Sequence, residues 1–132
     1  MGGLDPRLSK AVSAHASVVA ALSLLHSLRT RSLRRSLLFA ALGSAITVLG
    51  EHLAVNASKV LRHHARPQVG GVPVAVALGW YNVGYGTFVL MANLLNAGGQ
   101  RERSRALAPA AALAATSLDL LLDPAGLDLG LW

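Results

Sequence analysis

Four apolar runs separated by short polar segments dominate this chain of 132 residues. Each run is long enough for a membrane-spanning helix, which needs roughly 17–25 mostly apolar residues. We expect helices over about 11–28, 37–55, 72–96 and 107–123. The pattern therefore predicts an all-α fold, an integral membrane bundle of about four transmembrane helices that forms a single membrane domain over residues 1–132.

The composition supports a membrane location. Hydrophobic residues make up 53% of the chain and charged residues 14%, whereas soluble domains have roughly 25% charged residues. The mean hydropathy is +0.49. The net charge of +6 comes from basic residues between the apolar runs, where they indicate topology and contact with lipid headgroups. No nucleic-acid partner is expected, because the basic residues are not interleaved with aromatics. The abundance of alanine, leucine, glycine and arginine is typical of a GC-rich bacterial genome. We therefore expect the protein in a bacterial cell membrane.

The basic segments also predict an orientation. The loop after the first helix and the segment 98–105 are both rich in arginine, which places both loops inside and both termini outside. In the first helix, His15 and His26 lie eleven residues apart and so share a face. We expect this face to pack on a neighbouring helix, where both imidazoles form hydrogen bonds.

Glu51 lies in the last turns of the second predicted helix, and an ionisable residue in a membrane segment is a functional hypothesis by default. Two interpretations stay open for it, an interfacial carboxylate paired with Arg62 or Arg66, and a catalytic or substrate-facing group. The following loop contains His63 and His64. Adjacent histidines without a carboxylate at ligand spacing favour a solvated loop over a metal site.

The third predicted helix carries most of the polar aromatic groups, and Pro73 suits its first turn. The candidate substrate-binding residues are Trp80, Tyr81, Asn82 and Tyr85. The alternative is a tight packing seam, since nearby glycines allow helices to approach closely.

Two carboxylates lie four residues apart near the end of the fourth run, Asp119 and Asp123, so they share one helix face. Pro124 follows directly, and the residue before a proline is disfavoured in helical geometry, so we expect the helix to end near Asp123. Apolar surroundings, a like charge one turn away and the helix C-terminus all disfavour ionisation. At least one of the pair is expected to hold a proton at neutral pH. We expect both aspartates and Glu51 to point into the bundle, with Asp119 the more buried of the pair.

Several of these segments occur in a characteristic order. They are Gly50-Glu51, Gly71-Val-Pro-Val with Trp80, and Leu118-Asp-Leu-Leu-Leu-Asp-Pro124 followed by Gly130-Leu-Trp132. Over about Ala41 to Trp132, the chain resembles the bacterial and archaeal carotenoid biosynthesis membrane proteins, which include carotenoid 1′,2′-hydratases. The resemblance implies a cofactor-free addition of water to a terminal isoprenoid double bond of a lipophilic polyene. The family's Gly/Tyr-rich segment after the glutamate is replaced here, which leaves the exact isoprenoid open.

The candidate residues suit this chemistry, which needs a proton delivered to an alkene and a stabilised tertiary cation. Asp119 or Asp123 is the candidate acid, because two carboxyls that share a site can hold one proton between them. Glu51 is the candidate to orient or deprotonate water. Ring faces for the cation are available on Trp80, Tyr81 and Tyr85. Neither a metal nor another cofactor is expected.

Two alternatives stay open beside a hydratase. The same protonation without water capture gives a membrane terpene cyclase or isomerase. A non-enzymatic membrane subunit or small transporter would instead use buried carboxylates to carry protons or to bind a partner. The expected partners are a lipophilic isoprenoid or carotenoid substrate and membrane lipid. Because short helices enclose little volume, a homo-oligomer or a partner subunit is compatible with each reading.

Overall fold

The computed structural model describes residues 6–58, 63, 65–96 and 105–128. Within these ranges the chain forms four long α-helices, which are α1 (Pro6–Thr30), α2 (Leu33–His52), α3 (Val74–Asn96) and α4 (Leu107–Asp128). All of them are long and apolar enough to cross a membrane. The predicted all-α membrane bundle is therefore confirmed. Arg62, His64 and Trp132, which the sequence analysis singled out, lie outside the described residues.

α3 is the central helix of the bundle, because it contacts each of α1, α2 and α4. α1 also touches α2, whereas α4 packs mainly on α3. The small interior contains Ala20, Tyr81 and Tyr85, with Phe39 and Leu78 packed against them. Most other large apolar side chains point outward, as expected of helices that face lipid tails rather than water.

A short connection joins α2 to α3 at one end of the bundle. α2 continues into a π-helical turn (Leu53–Ala57), and an antiparallel hairpin follows, formed by β1 (Gln68–Val69) and β2 (Val72–Pro73). Gly70 and Gly71 form the turn with φ of 58° and 86°, a region that glycine adopts readily and that tight hairpin turns require. The turn packs closely on the π-helical turn, since a Cβ on Gly71 would lie 3.2 Å from Val55 Cγ1.

The hairpin corrects the predicted start of the third helix. Val72 and Pro73 were expected in its first turn, but they pair with Val69 and Gln68, and α3 begins at Val74. The prediction was wrong because a two-residue strand is too short to show the alternation that identifies strands in a sequence.

The end of α4 is a second correction. The helix was expected to end near Asp123, but it continues through Pro124 to Asp128. Proline removes one amide donor, so the Leu120 carbonyl loses its usual partner. Membrane helices tolerate such breaks because neighbouring groups compensate for the lost bond. Pro124 therefore lies within α4, and Asp123 is not its last residue.

Buried contacts clamp α1 and α2 together at the end of the bundle opposite the hairpin. The Ser27 and Ser36 hydroxyls are 2.8 Å apart, and both residues are only 1% exposed.

At the hairpin end, the hydroxyls of Ser9 and Ser13 each lie 3.4 Å from a backbone atom of Arg66. The loop before the hairpin is thereby attached to the start of α1.

Candidate functional site

The carboxylate of Glu51 makes two hydrogen-bonding contacts at the hairpin end of the bundle. Its Oε1 accepts a hydrogen bond from Trp80 Nε1 at 3.1 Å, and its Oε2 lies 3.0 Å from His63 Nε2. The Glu51 side chain is 15% exposed and that of His63 only 2%. Both carboxylate oxygens therefore have partners, one on the central helix and one on the connecting loop.

These contacts test one of the two interpretations of Glu51, that of an interfacial carboxylate paired with an arginine of the following loop. Among the residues that the structure describes, Glu51 and Arg66 form no ion pair, and the Arg66 side chain is exposed. Glu51 is paired with His63 instead. The solvated-loop interpretation of this histidine is therefore wrong, because its side chain is buried against the end of α2. No helical or strand periodicity relates His63 to Glu51, so the sequence carries no signal for this pair.

The loop that carries His63 is attached to its surroundings on several sides. Gln68 Nε2 donates to the carbonyls of His63 and Ala65 at 3.0 and 2.9 Å. His52 Nδ1 and Asn56 Nδ2 both lie 3.0 Å from the carbonyl oxygen of Gly70. Since these contacts tie the loop and the hairpin to the end of α2, the His63 ring is held in place before any ligand arrives.

A pocket of about 210 Å³ lies beside the Glu51 carboxylate. The residues that line it are Thr47, Gly50, Glu51, Ala54 and Trp80. The small residues Gly50 and Ala54 make the room, and a Cβ placed on Gly50 would meet no atom within 4 Å. The pocket is mostly apolar. One of its lining residues, Gly50, is exposed, as are Leu49 of α2 and Leu53 of the π-helical turn beside it, so the pocket is open toward the apolar outer side of α2.

α4 carries a second carboxyl group within electrostatic reach of Glu51. Asp119 is partly buried and lies close enough to Glu51 and to Asp123 for the charges to interact. Asp123 is exposed, so the expectation that it points into the bundle is wrong. The physical reason is that α4 packs mainly on α3, which leaves positions 120–125 exposed.

The remaining predicted substrate-binding residues lie on other faces of α3, away from the pocket. Tyr81 and Tyr85 are buried and stacked, with ring centroids 6.0 Å apart. Phe39 packs edge-on against both rings. Asn82 Nδ2 donates to the Ala16 carbonyl at 3.1 Å. These three residues occupy the seam between α1, α2 and α3, so the structure joins Trp80, but not Tyr81, Asn82 or Tyr85, to Glu51.

The two histidines of α1 have different environments. His26 Nδ1 lies 2.7 Å from the Tyr85 hydroxyl, which links α1 to α3. His15 is exposed. His26 is exposed as well, so the expected packed face is wrong, and the expected hydrogen bond to a neighbouring helix is confirmed for His26 alone. α3 meets α1 along a strip that includes the buried Ala16 and Ala20.

The fold and this site define an all-α membrane protein with a hydrogen-bonded carboxylate where α2, α3 and the connecting loop meet. The chain belongs to the carotenoid biosynthesis protein family, whose model matches residues 11–132. The match includes most of α1, well before the segment in which the sequence alone shows the resemblance. The protein is therefore a membrane protein of carotenoid biosynthesis. Comparison with curated proteins and with solved structures gives no match.

Proposed function

We propose that the protein is a cofactor-independent carotenoid hydratase, which protonates a terminal isoprenoid double bond and adds water to the resulting cation. The observation that carries this proposal is the Glu51 carboxylate, bonded through both oxygens and placed beside an apolar pocket. A second carboxyl, Asp119, lies within electrostatic reach. A carboxylate that lines an apolar pocket, with a second carboxyl within electrostatic reach, supplies the two kinds of group that acid–base addition of water to an alkene requires.

The contacts support different roles for the two carboxyls. Trp80 Nε1–H can only donate, and so requires an acceptor on Glu51. Paired with a second donor on His63, Glu51 is suited to remain a carboxylate that stabilises a nearby cation. Asp119 lies within electrostatic reach of Glu51 and Asp123, and carboxyls that interact in this way can share one proton between them. We therefore assign Asp119 as the acid and Glu51 as the base.

The proposed reaction balances without a metal or a redox group. Asp119 gives its proton to the CH carbon of the trisubstituted double bond, and a tertiary cation forms on the dimethyl-substituted carbon at the chain end. Water attacks this cation, and Glu51 takes the proton that the water loses. Transfer of a proton from Glu51 back to Asp119 through water restores both carboxyls. The net change is addition of one water molecule, and the ring face of Trp80 on the pocket wall supports the cation while it exists.

The position of the pocket suits both reactants. A polyene dissolved in the bilayer reaches it laterally across the exposed apolar side of α2, which includes Ile46 and Leu49. Water reaches it from the loop side, because Glu51 stands near the end of α2 and is partly exposed. The proposed substrate is therefore the acyclic end of a lipophilic carotenoid, which enters while most of its length stays in lipid.

Expression in a host that accumulates an acyclic carotenoid tests this proposal by mass analysis of the pigments. The expected product is heavier than the substrate by one water, and its new oxygen comes from isotopically labelled water in the medium. An isomeric product would contradict hydration and support a terpene cyclase or isomerase. Unchanged pigments in cells that contain the inserted protein would support a non-enzymatic membrane subunit or transporter.

A further inference from the structure

His63 is a loop residue whose side chain is almost completely buried. It lies between the π-helical turn and β1, outside the membrane-spanning helices, yet its side chain is 2% exposed. Burial of an imidazole costs free energy unless hydrogen bonds compensate for it. Its Nε2 lies 3.0 Å from Glu51 Oε2. The loop thus places one polar ring against the carboxylate that the proposed reaction uses as its base.

One donor alone does not fix the direction of a glutamate side chain. Trp80 holds Oε1 from α3, but rotation about the side-chain bonds can keep this contact while Oε2 swings away. His63 meets Oε2 from a different element, so the two contacts together define the plane of the carboxylate. Since groups that handle protons need positions accurate to a fraction of an ångström, the second contact has a direct consequence for the chemistry.

The surrounding loop is built to hold the imidazole rigidly. Gln68 donates to the carbonyl of His63 itself. The backbone of Arg66, three residues later, contacts Ser9 and Ser13 of α1, and the carbonyl of Gly70 contacts His52 and Asn56. The position of His63 is therefore set by α1, by the end of α2 and by its own loop.

We propose that His63 is the positioning residue of the site, which donates its Nε2–H to Glu51 Oε2 and so orients the carboxylate toward the pocket. This proposal rests on the proposed function for its effect on turnover, but the geometry it describes can be tested without turnover. Its central requirement is a donor at the position of Nε2. A glutamine side chain places its amide nitrogen near this position, whereas asparagine is too short to reach it.

The activity test compares His63→Gln, His63→Asn and His63→Ala. We expect His63→Gln to keep turnover within about threefold of the original protein, and the other two variants to lose at least tenfold in kcat with little change in KM. His15→Ala, which removes an exposed histidine of α1 that takes no part in the site, is the control and should leave kcat unchanged. Equal losses for glutamine and asparagine would overturn the positioning role, as would no loss for any of the three.

A second measurement reports on the site without catalysis. The chain contains two tryptophans, so a Trp132→Phe background leaves the Trp80 indole N–H as a single signal in a nitrogen–proton NMR spectrum. We expect Glu51→Gln and His63→Ala to move this signal, because the group that accepts from the indole changes or turns, and His63→Gln and His15→Ala to leave it in place. An unmoved signal in His63→Ala would overturn the proposal. Because this spectrum needs no substrate, a protein that yields no hydrated product would refute the proposed function while the role of His63 is still decided.

Discussion

The indole of Trp80 donates a hydrogen bond to Glu51 Oε1 at 3.1 Å, and this contact joins the central helix α3 to the end of α2. Both residues also line the pocket beside the carboxylate. The bond that holds the two helices together therefore forms part of the wall where the proposed chemistry takes place. We therefore expect substitutions in the pocket wall to change turnover, and substitutions elsewhere in the bundle to change stability without changing turnover.

Filling the pocket should block the substrate while leaving the bundle intact. Gly50 lines the pocket, and a side chain there meets open space, so Gly50→Leu should fold normally and lower turnover at least tenfold. Gly43 lies two turns earlier on α2, also beside open space, but outside the pocket lining. Gly43→Leu is therefore the matched control and should keep its activity. Equal activity of the two variants in the pigment assay would show that the substrate binds elsewhere.

The activity should be insensitive to metal chelators. Within the part of the chain that the structure describes, no three histidine, aspartate or glutamate side chains come together as metal ligands. Protonation of an alkene by a carboxylic acid also needs no Lewis acid. We expect purified protein treated with a chelator to convert substrate at its original rate. Loss of turnover that a divalent ion restores would contradict this and would make Asp119 and Asp123 candidate ligands.

The buried serine pair should contribute to stability rather than to activity. Ser27 and Ser36 join α1 to α2 far from the Glu51 site, and hydrogen bonds between membrane helices contribute about 0.6 kcal/mol on average and up to about 1.7. Ser27→Ala should lower the free energy of unfolding by about 1 kcal/mol and leave turnover unchanged. Ser17→Ala is the control, since the exposed Ser17 hydroxyl bonds only within α1. An equal effect of both substitutions on denaturant unfolding would show that the hydrogen bond between Ser27 and Ser36 adds nothing to stability beyond the loss of a serine hydroxyl.

The sequence predicted the helices well because each one is a long apolar run between basic segments. It also indicated Glu51, Trp80 and Asp119, since ionisable and polar aromatic groups are rare in such runs and therefore stand out. It could not predict His63, because a contact between a loop and a helix end depends on the path of the chain rather than on periodicity. It also grouped Tyr81 and Tyr85 with Trp80, although positions one and five residues away on a helix point in other directions.

Asp119 and Asp123 show a further limit of sequence reasoning. Their spacing places them on one helix face, and the sequence predicted that Asp119 is the more buried, which the structure confirms. Spacing alone does not show how much of that face the neighbouring helix covers, however. Asp123 is exposed, whereas Asp119 is partly buried and within electrostatic reach of Glu51.

The central claim is that Asp119 supplies the proton, and the turnover of Asp119→Asn tests it most directly. Asparagine keeps the shape of the side chain but removes the titratable proton, so turnover should fall by about 10²–10⁴-fold in protein shown to be inserted and folded. The controls on the same helix are Asp123→Asn, which should lose less, and Asp128→Asn, at an exposed position, which should be unaffected. The measurement is the rate at which each purified variant adds water to an acyclic carotenoid. A loss confined to Asp119→Asn and, to a smaller degree, Asp123→Asn is the predicted result, and a correctly inserted Asp119→Asn protein that adds water at the original rate would contradict the account.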